Sequence, residues 1–369
     1  MEERTGWYRP TNAASLKTPS VLVFPERIRE NIRRMIAIAG DAARLRPHVK
    51  THKMAEVVKM QVELGITRFK CATLTELSLA ASNGAADLLL AYPLLGPDIK
   101  SLFQTAAQFP GVKISVIVDS LFACEALQIE SAKNKKLTAV FVDLDNGMHR
   151  TGIAPDLAPD LIHAIQDLEN LSFSGLHIYD GHIHDSDPNQ RKARCQKDFE
   201  PVLRLISQLK EDGIEISELA CGGTPTFPIH ALYGDRTLCP GTPLLWDAGY
   251  EAGLPDLDFL PAAVVLGRII SKPREQLCLD LGHKSIASEM DPPRLKFLDL
   301  QLDRVLNHSE EHMVISSDQN ESMKVGDLVY ALPIHVCPTM ALHEEVYVVE
   351  NKRVGQTWKV VARKRDYTI

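Results

Sequence analysis

The chain has 369 residues, 45% of them hydrophobic, enough for a large core in one to three domains. A formal charge of −7 argues against a general nucleic-acid binder, because phosphate contacts need a basic surface. No apolar run approaches the ~20 residues that cross a bilayer, and the opening MEERTGWYRPTNAAS has no secretory core, so a cytoplasmic protein with no membrane or nucleic-acid partner is expected. Seven cysteines, an odd number without a CxxC spacing, fit reduced thiols better than a disulfide framework.

In chain order, SVLVF (20–24) is a short apolar run. A helix follows, with Pro25 suited to its first turn and Gly40 to its end; Ile28, Ile32, Met35, Ile36 and Ala39 share one face. Strand-like RLRPHVK (44–50), RFKCAT (68–73), ADLLLAY (86–92), KISVIVD (113–119), TAVFVDLD (138–145), LSFSGLHIYDG (171–181) and ISELACGG (216–223) then alternate with helical stretches. The βα rhythm recurs roughly eight times before residue 240, which predicts an α/β fold with a parallel sheet closed as a (β/α)8 TIM-type barrel. Beyond residue 245 the segments are strand-like with turns, predicting a β-rich second domain. The expected division is a barrel over residues 15–244 and a β-rich domain over 245–369, with residues 1–14 packing against the latter.

RPHVKTHK (46–53) concentrates positive charge at the end of a strand. Alternation places Arg46, His48 and Lys50 on one face. An inward stripe of this kind makes a poor core and a good site at the C-terminal mouth of a barrel; a solvated strand end with extended basic side chains is the plainer alternative. CGGTPT (221–226) and CPGTPLLWD (239–247) are glycine-containing turns after late strands. Glycine lets backbone N–H groups approach a phosphate, although either turn alone would be unremarkable. His335 and Cys337 form an H-x-C pair, which is half of a metal site; spacing alone fits a buried cysteine beside an incidental histidine better.

Taken in order, RPHVKTHK, VDLDNGMHRTGI (142–153), GLHIYDGHIH (175–184), the two glycine turns and IHVCPTMALH (334–343) resemble the fold-type III pyridoxal-phosphate enzymes, specifically the D-threonine aldolase and D-serine dehydratase group with its alanine racemase-like barrel. The resemblance implies that Lys50 holds pyridoxal 5′-phosphate covalently, in preference to Lys53, with Arg46 and His48 crowding the amine and favouring its neutral, nucleophilic form. It implies Arg150 near the cofactor's phenolic oxygen and Tyr179 against its ring. Gly222, Gly223, Thr224, Gly241 and Thr242 would hold the phosphate. His335 and Cys337 would bind a divalent metal (zinc, manganese or magnesium), the thiolate favouring zinc. His182, with His184 as the alternative, would act on the substrate hydroxyl. The expected activity is D-threonine aldolase, cleaving D-3-hydroxy amino acids to glycine and an aldehyde. The alternatives are a D-serine or D-3-hydroxyaspartate dehydratase, then a racemase or a non-catalytic cofactor carrier. A homodimer is expected by the same resemblance.

Overall fold

The structure is a computed structural model and describes residues 6–365, which group into two compact units. One is built from Arg33–Lys50 and Val58–Gly241; the other from residues up to Ile32, Thr51–Val57 and Thr242–Arg363. Among the described residues no helix is long and apolar enough to cross a membrane.

The chain's first strand, β1 (Ser20–Val23), and the start of the first helix, α1 (Pro25–Ala39), lie outside the barrel unit. The barrel unit carries seven parallel strands in sequential order: β2 (Arg68–Cys71), β3 (Asp87–Leu90), β4 (Lys113–Val118), β5 (Thr138–Leu144), β6 (Leu171–Ile178), β7 (Glu218–Cys221) and β8 (Arg236–Leu238). Residues 45–48 join the two edges of this sheet. Leu45 bridges Leu238 and His48 bridges Lys70, both in parallel sense. Arg46 N–H donates to Leu238 O at 2.8 Å and Lys70 N–H to Pro47 O at 3.0 Å. This short segment is therefore the eighth stave of a closed (β/α)8 barrel. Leu89, Ile117, Phe141, Ala220 and Cys239 form a buried apolar cluster within the unit.

Helices between the strands start where side chains cap them. Thr73 Oγ1 accepts from Glu76 N–H at 3.1 Å while Glu76 accepts from Ala72 N–H at 2.6 Å, a reciprocal cap that satisfies two otherwise orphaned donors. Asp187 accepts from Asn189 and Gln190 N–H ahead of the long helix Pro188–Glu211.

Two expectations for the barrel need correction. SVLVF is not a barrel strand, because β1 pairs antiparallel with a strand at Ala263–Ser271 and parallel with one at Glu345–Glu350. Its place in the count is taken by β8, three residues long and too short to show a pattern. Arg46 does not crowd Lys50. The strand ends at His48, and Val49–Thr51 forms a 3-10 turn. The Arg46 guanidinium is fully buried and makes paired bonds to Asp87 and Glu218, the first residues of β3 and β7, at 3.0–3.1 Å. That places it at the N-terminal end of the barrel, the end opposite the one where TIM-barrel sites form. Arg68 also pairs with Glu218 there.

The second unit is a nine-stranded mixed sheet. Its remaining strands are β9 (Ala263–Ser271), β10 (Leu277–Leu279), β11 (Leu295–Phe297), β12 (Arg304–His308), β13 (Met313–Ser316), β14 (Leu328–Pro333), β15 (Glu345–Glu350) and β16 (Arg353–Lys359). The core of this unit joins Leu22 and Phe24 to Val264, Leu266, Tyr330, Leu332 and Val349, with Tyr8, Ala13 and Leu16 from the N-terminal segment. The grouping thus departs from the expected division at residue 15, since β1 satisfies its backbone in this sheet and Leu22, with Phe24 just past the strand, lies in this core. Residues 1–5 lie outside the described residues.

Candidate active site

In the barrel unit, the strand ends bring cationic side chains around one aromatic ring. Tyr179 follows the last residue of β6. Lys50 Nζ lies 5.7 Å from the Tyr179 ring centroid, Lys70 Nζ 5.1 Å and Arg150 Cζ 5.1 Å. Neither Lys50 nor Arg150 makes an ion pair among the described residues. Two glycines lie close against the ring. A Cβ on Gly181 would fall 2.4 Å from the phenol, and one on Gly223 would fall 3.1 Å from Cε2. Cations gathered over an aromatic wall, with backbone able to approach closely, fit a flat anionic cofactor that carries a phosphate and a phenolate.

Lys53, the competing amine of the opening motif, directs its Nζ to the carbonyl of Ala362 at 3.4 Å within the other unit. Arg150 sits on a locked loop. Asp145 accepts from Gly147 and His149 N–H at its side chain, while its own N–H donates to Ile153 O and Ile153 N–H donates to Asp143 O. Gly222, Gly223 and Thr224 are buried after β7, and Thr224 Oγ1 accepts from Gly241 N–H at 3.3 Å, tying the two glycine turns together. Thr242, in the other unit, is within 3.7 Å of Cys337 Sγ.

Sequence reading missed a buried chain beneath Tyr179. Lys70 Nζ is 2.9 Å from His177 Nε2; His177 Nδ1 is 2.6 Å from Asp143 Oδ1; Thr151 donates to Asp143 Oδ2 at 2.9 Å. The Asp143 carboxylate accepts from Nδ1–H, so His177 presents its Nε2 lone pair to Lys70. Burial pushes the Lys70 pKa down, and the charge of Lys50 adds to this against the pull of Cys239, Asp143 and Asp180. Burial would raise Asp143, but His177, Thr151 and Lys70 bring it below its ordinary value. One signal was available: His177 and Tyr179 stand two residues apart at the mouth end of β6.

His182 is half-buried with its Nε2 2.9 Å from Asp198 Oδ2 on the long helix, while its Nδ1 is buried without a partner. Its ring packs on the Arg150 loop so tightly that a Cβ at Gly147 would lie 2.7 Å from Nε2. His184 is exposed. The two histidines do not share a strand face, because β6 ends at Ile178 and a turn follows.

Asp180, Cys195 and His230 bring ligand-type atoms within 4.8 Å of one another, and all three are buried. Their hydrogen bonds already account for them. Arg236 donates to His230 Nδ1 at 2.8 Å, which places the ring proton on Nε2, 2.8 Å from Asp180 Oδ2. Thr226 donates to the other Asp180 oxygen at 2.6 Å. An ion there would have to displace this proton and face the Arg236 guanidinium, so the cluster reads as a polar knot fastening Tyr179's loop to the glycine turn.

In the second unit, His335 precedes a short helix, Val336–Leu342, and Cys337 lies in its first turn. Cys337 Sγ is 3.3 Å from Thr51 Oγ1. Buried Asp247 accepts from Val336 N–H at 3.0 Å and from Tyr250 N–H at 2.9 Å, pinning the backbone between the pair. Burial pushes Asp247 up to about 6. Burial opposes the charged form of His335, yet its hydrogen bond to Cys337, that thiol's charge, Asp247 and Glu289 raise it to about 9. A thiolate and an imidazole held together suit a borderline divalent cation such as zinc.

The barrel is closed by the segment before Lys50 and gathers that lysine, an arginine and a tyrosine at its mouth. The chain belongs to the family described as alanine racemase, N-terminal domain, whose model matches residues 23–242, within the fold-type III pyridoxal-phosphate group. A serine dehydratase domain model matches residues 262–349. The chain is 29% identical to the D-threonine aldolase of Arthrobacter sp over 358 residues, covering 95% of this chain and 93% of that one. It is 26% identical to the D-serine dehydratase of Dictyostelium discoideum over 375 residues, covering 91% and 94%. The crystal structure of D-threonine aldolase from Filomicrobium marinum superimposes with a TM-score of 0.85 at 26% identity, covering 96% of this chain and 97% of that one. These relatives are lyases of two kinds, aldolase and dehydratase, and an enzyme of the pyridoxal-phosphate lyase class is what they support.

Proposed function

We propose that this chain is a divalent-metal-dependent D-threonine aldolase that cleaves D-3-hydroxy amino acids to glycine and an aldehyde. The observation that carries the reading is the convergence of Lys50, Arg150 and Lys70 on the Tyr179 ring, with Gly181 and Gly223 close against it. Likeness to D-threonine aldolases along nearly the whole chain supports the choice of reaction.

Pyridoxal phosphate, when bound, would supply an electron sink for the bond that breaks at the substrate's Cα. Lys50 would hold the cofactor aldehyde through its Nζ and yield it to the substrate amine. Tyr179 would form the wall against the ring, and Arg150 would hold the phenolic oxygen. Gly222, Gly223, Thr224, Gly241 and Thr242 would hold the phosphate by backbone N–H groups and hydroxyls. His335 and Cys337 would hold the cation that acidifies the substrate's β-hydroxyl. His182, oriented by Asp198, is assigned as the base that takes that proton, after which Cα–Cβ breaks and the aldehyde leaves; the exposed His184 is the weaker candidate. The Lys70–His177–Asp143 chain holds a proton next to the Tyr179 ring and keeps Lys70 facing it.

One observation favours a second reading. Cys337 offers a thiolate to the cation, and a strongly held zinc on the β-oxygen would equally make hydroxide a better leaving group, as in a D-serine or D-3-hydroxyaspartate dehydratase. The test is to incubate the purified protein, pyridoxal phosphate and Zn2+ or Mn2+ separately with D-threonine, D-serine and D-3-hydroxyaspartate. Glycine plus an aldehyde is the expected outcome. A 2-oxo acid with ammonia would replace the aldolase by the dehydratase. Turnover without added metal and exchange of the α-proton alone would point to a racemase, and cofactor binding without turnover to a carrier. The reading includes a homodimer, which sedimentation equilibrium checks.

A further inference from the structure

We propose that Glu289 is the positioning residue for His335, accepting a hydrogen bond from its Nδ1–H so that the ring turns Nε2 to a divalent cation shared with Cys337. This rests on the reading of His335 and Cys337 as a cation site. Glu289 Oε1 is 2.6 Å from His335 Nδ1. A carboxylate can only accept, so Nδ1 carries a proton, and Nε2 is the nitrogen left to a cation that displaces its proton.

Glu289 is exposed, and an exposed pair would ordinarily count for little. The loop that carries it is anchored, however. Thr339, fully buried in the helix Val336–Leu342, donates its hydroxyl to His335 O at 2.9 Å and accepts from Ala287 N–H at 3.2 Å. One hydroxyl thus fixes both the backbone of the ligand and the loop two residues before Glu289. His343, just past that helix, holds Ser285 O at 2.9 Å. Ser285 and Ile286 N–H both return to Gly282 O, which makes the loop a compact turn. The carboxylate is therefore delivered to the far side of the imidazole ring by a fixed scaffold. A histidine ligand whose other nitrogen faces a carboxylate is held in one tautomer and made more basic toward the cation.

The experiment titrates metal-stripped protein with Co2+ against a chromophoric chelator, using wild type, E289A, E289Q and H335A. The near-ultraviolet thiolate-to-cobalt band reports ligation by Cys337. Binding by E289A is expected to weaken about 10- to 100-fold. E289Q, whose amide oxygen can still accept from Nδ1, should lose much less, and metal-free melting temperatures should match wild type. Affinity in E289A equal to wild type, with H335A impaired, overturns the role of Glu289 and leaves the site standing. Binding by H335A equal to wild type, or a wild type that takes up no Co2+, overturns the cation site and Glu289 with it.

Discussion

His52 lies two residues beyond Lys50 and is fully buried, with its Nδ1 accepting from Met54 N–H at 3.1 Å. That bond needs the nitrogen bare, and burial, the largest cause, pushes the ring down to about 3 from an ordinary 6.5. Between these values the unfolded chain binds a proton that the folded chain refuses, so stability falls as pH falls. Going from pH 7 to pH 5 should cost about 2 kcal/mol from this residue alone. Urea denaturation at both pH values, in wild type and H52Q, checks it: the variant should lose most of that difference, and an unchanged pH dependence would contradict the assignment. At the same scale, the sequence pointed to Lys50, Arg150 and Tyr179, which lie together in the fold, because each stands in a run whose neighbours also carry the pattern. Lys70, His177 and Asp143 stand singly in three different strands, and only the closed barrel makes them one chain. Glu289 was hidden for a related reason, since 46 residues separate it from the histidine it touches.

Among the elements, the βα rhythm was legible and the membership of the barrel was not. β1 has the composition of a barrel strand, four consecutive buried residues, because a strand covered on both faces looks the same in either sheet. β8 is three residues, and nothing in its sequence separates it from the turn that follows. The segment 45–48 joins the barrel through single bridges, and its arginine serves an end of the barrel that alternation alone does not identify. Arg46 lies between two carboxylates, Asp87 and Glu218, that are 15% and 8% exposed. Replacing it with methionine removes one partner of a buried network and leaves the carboxylates facing each other, which typically costs about 3–5 kcal/mol. Equilibrium urea unfolding of R46M should show a loss of that order. A loss under about 1 kcal/mol, the range of an exposed pair, would mean that Arg68 and Lys113 hold the cluster without it.

For the molecule as a whole, size, charge and cysteine usage set only a broad class, and the ordered motifs carried the rest. The central claim is that one amine, Lys50 Nζ at the mouth of the barrel, holds the cofactor. Three lysines compete for that role: Lys50 and Lys70 over the Tyr179 ring, and Lys53 turned to Ala362. Reducing the pyridoxal-phosphate-loaded protein with borohydride and mapping the modified peptide by mass spectrometry separates them directly. The label should sit on Lys50, and K50A should carry none; a label on Lys70 or Lys53, or an unlabelled wild type, would contradict the account.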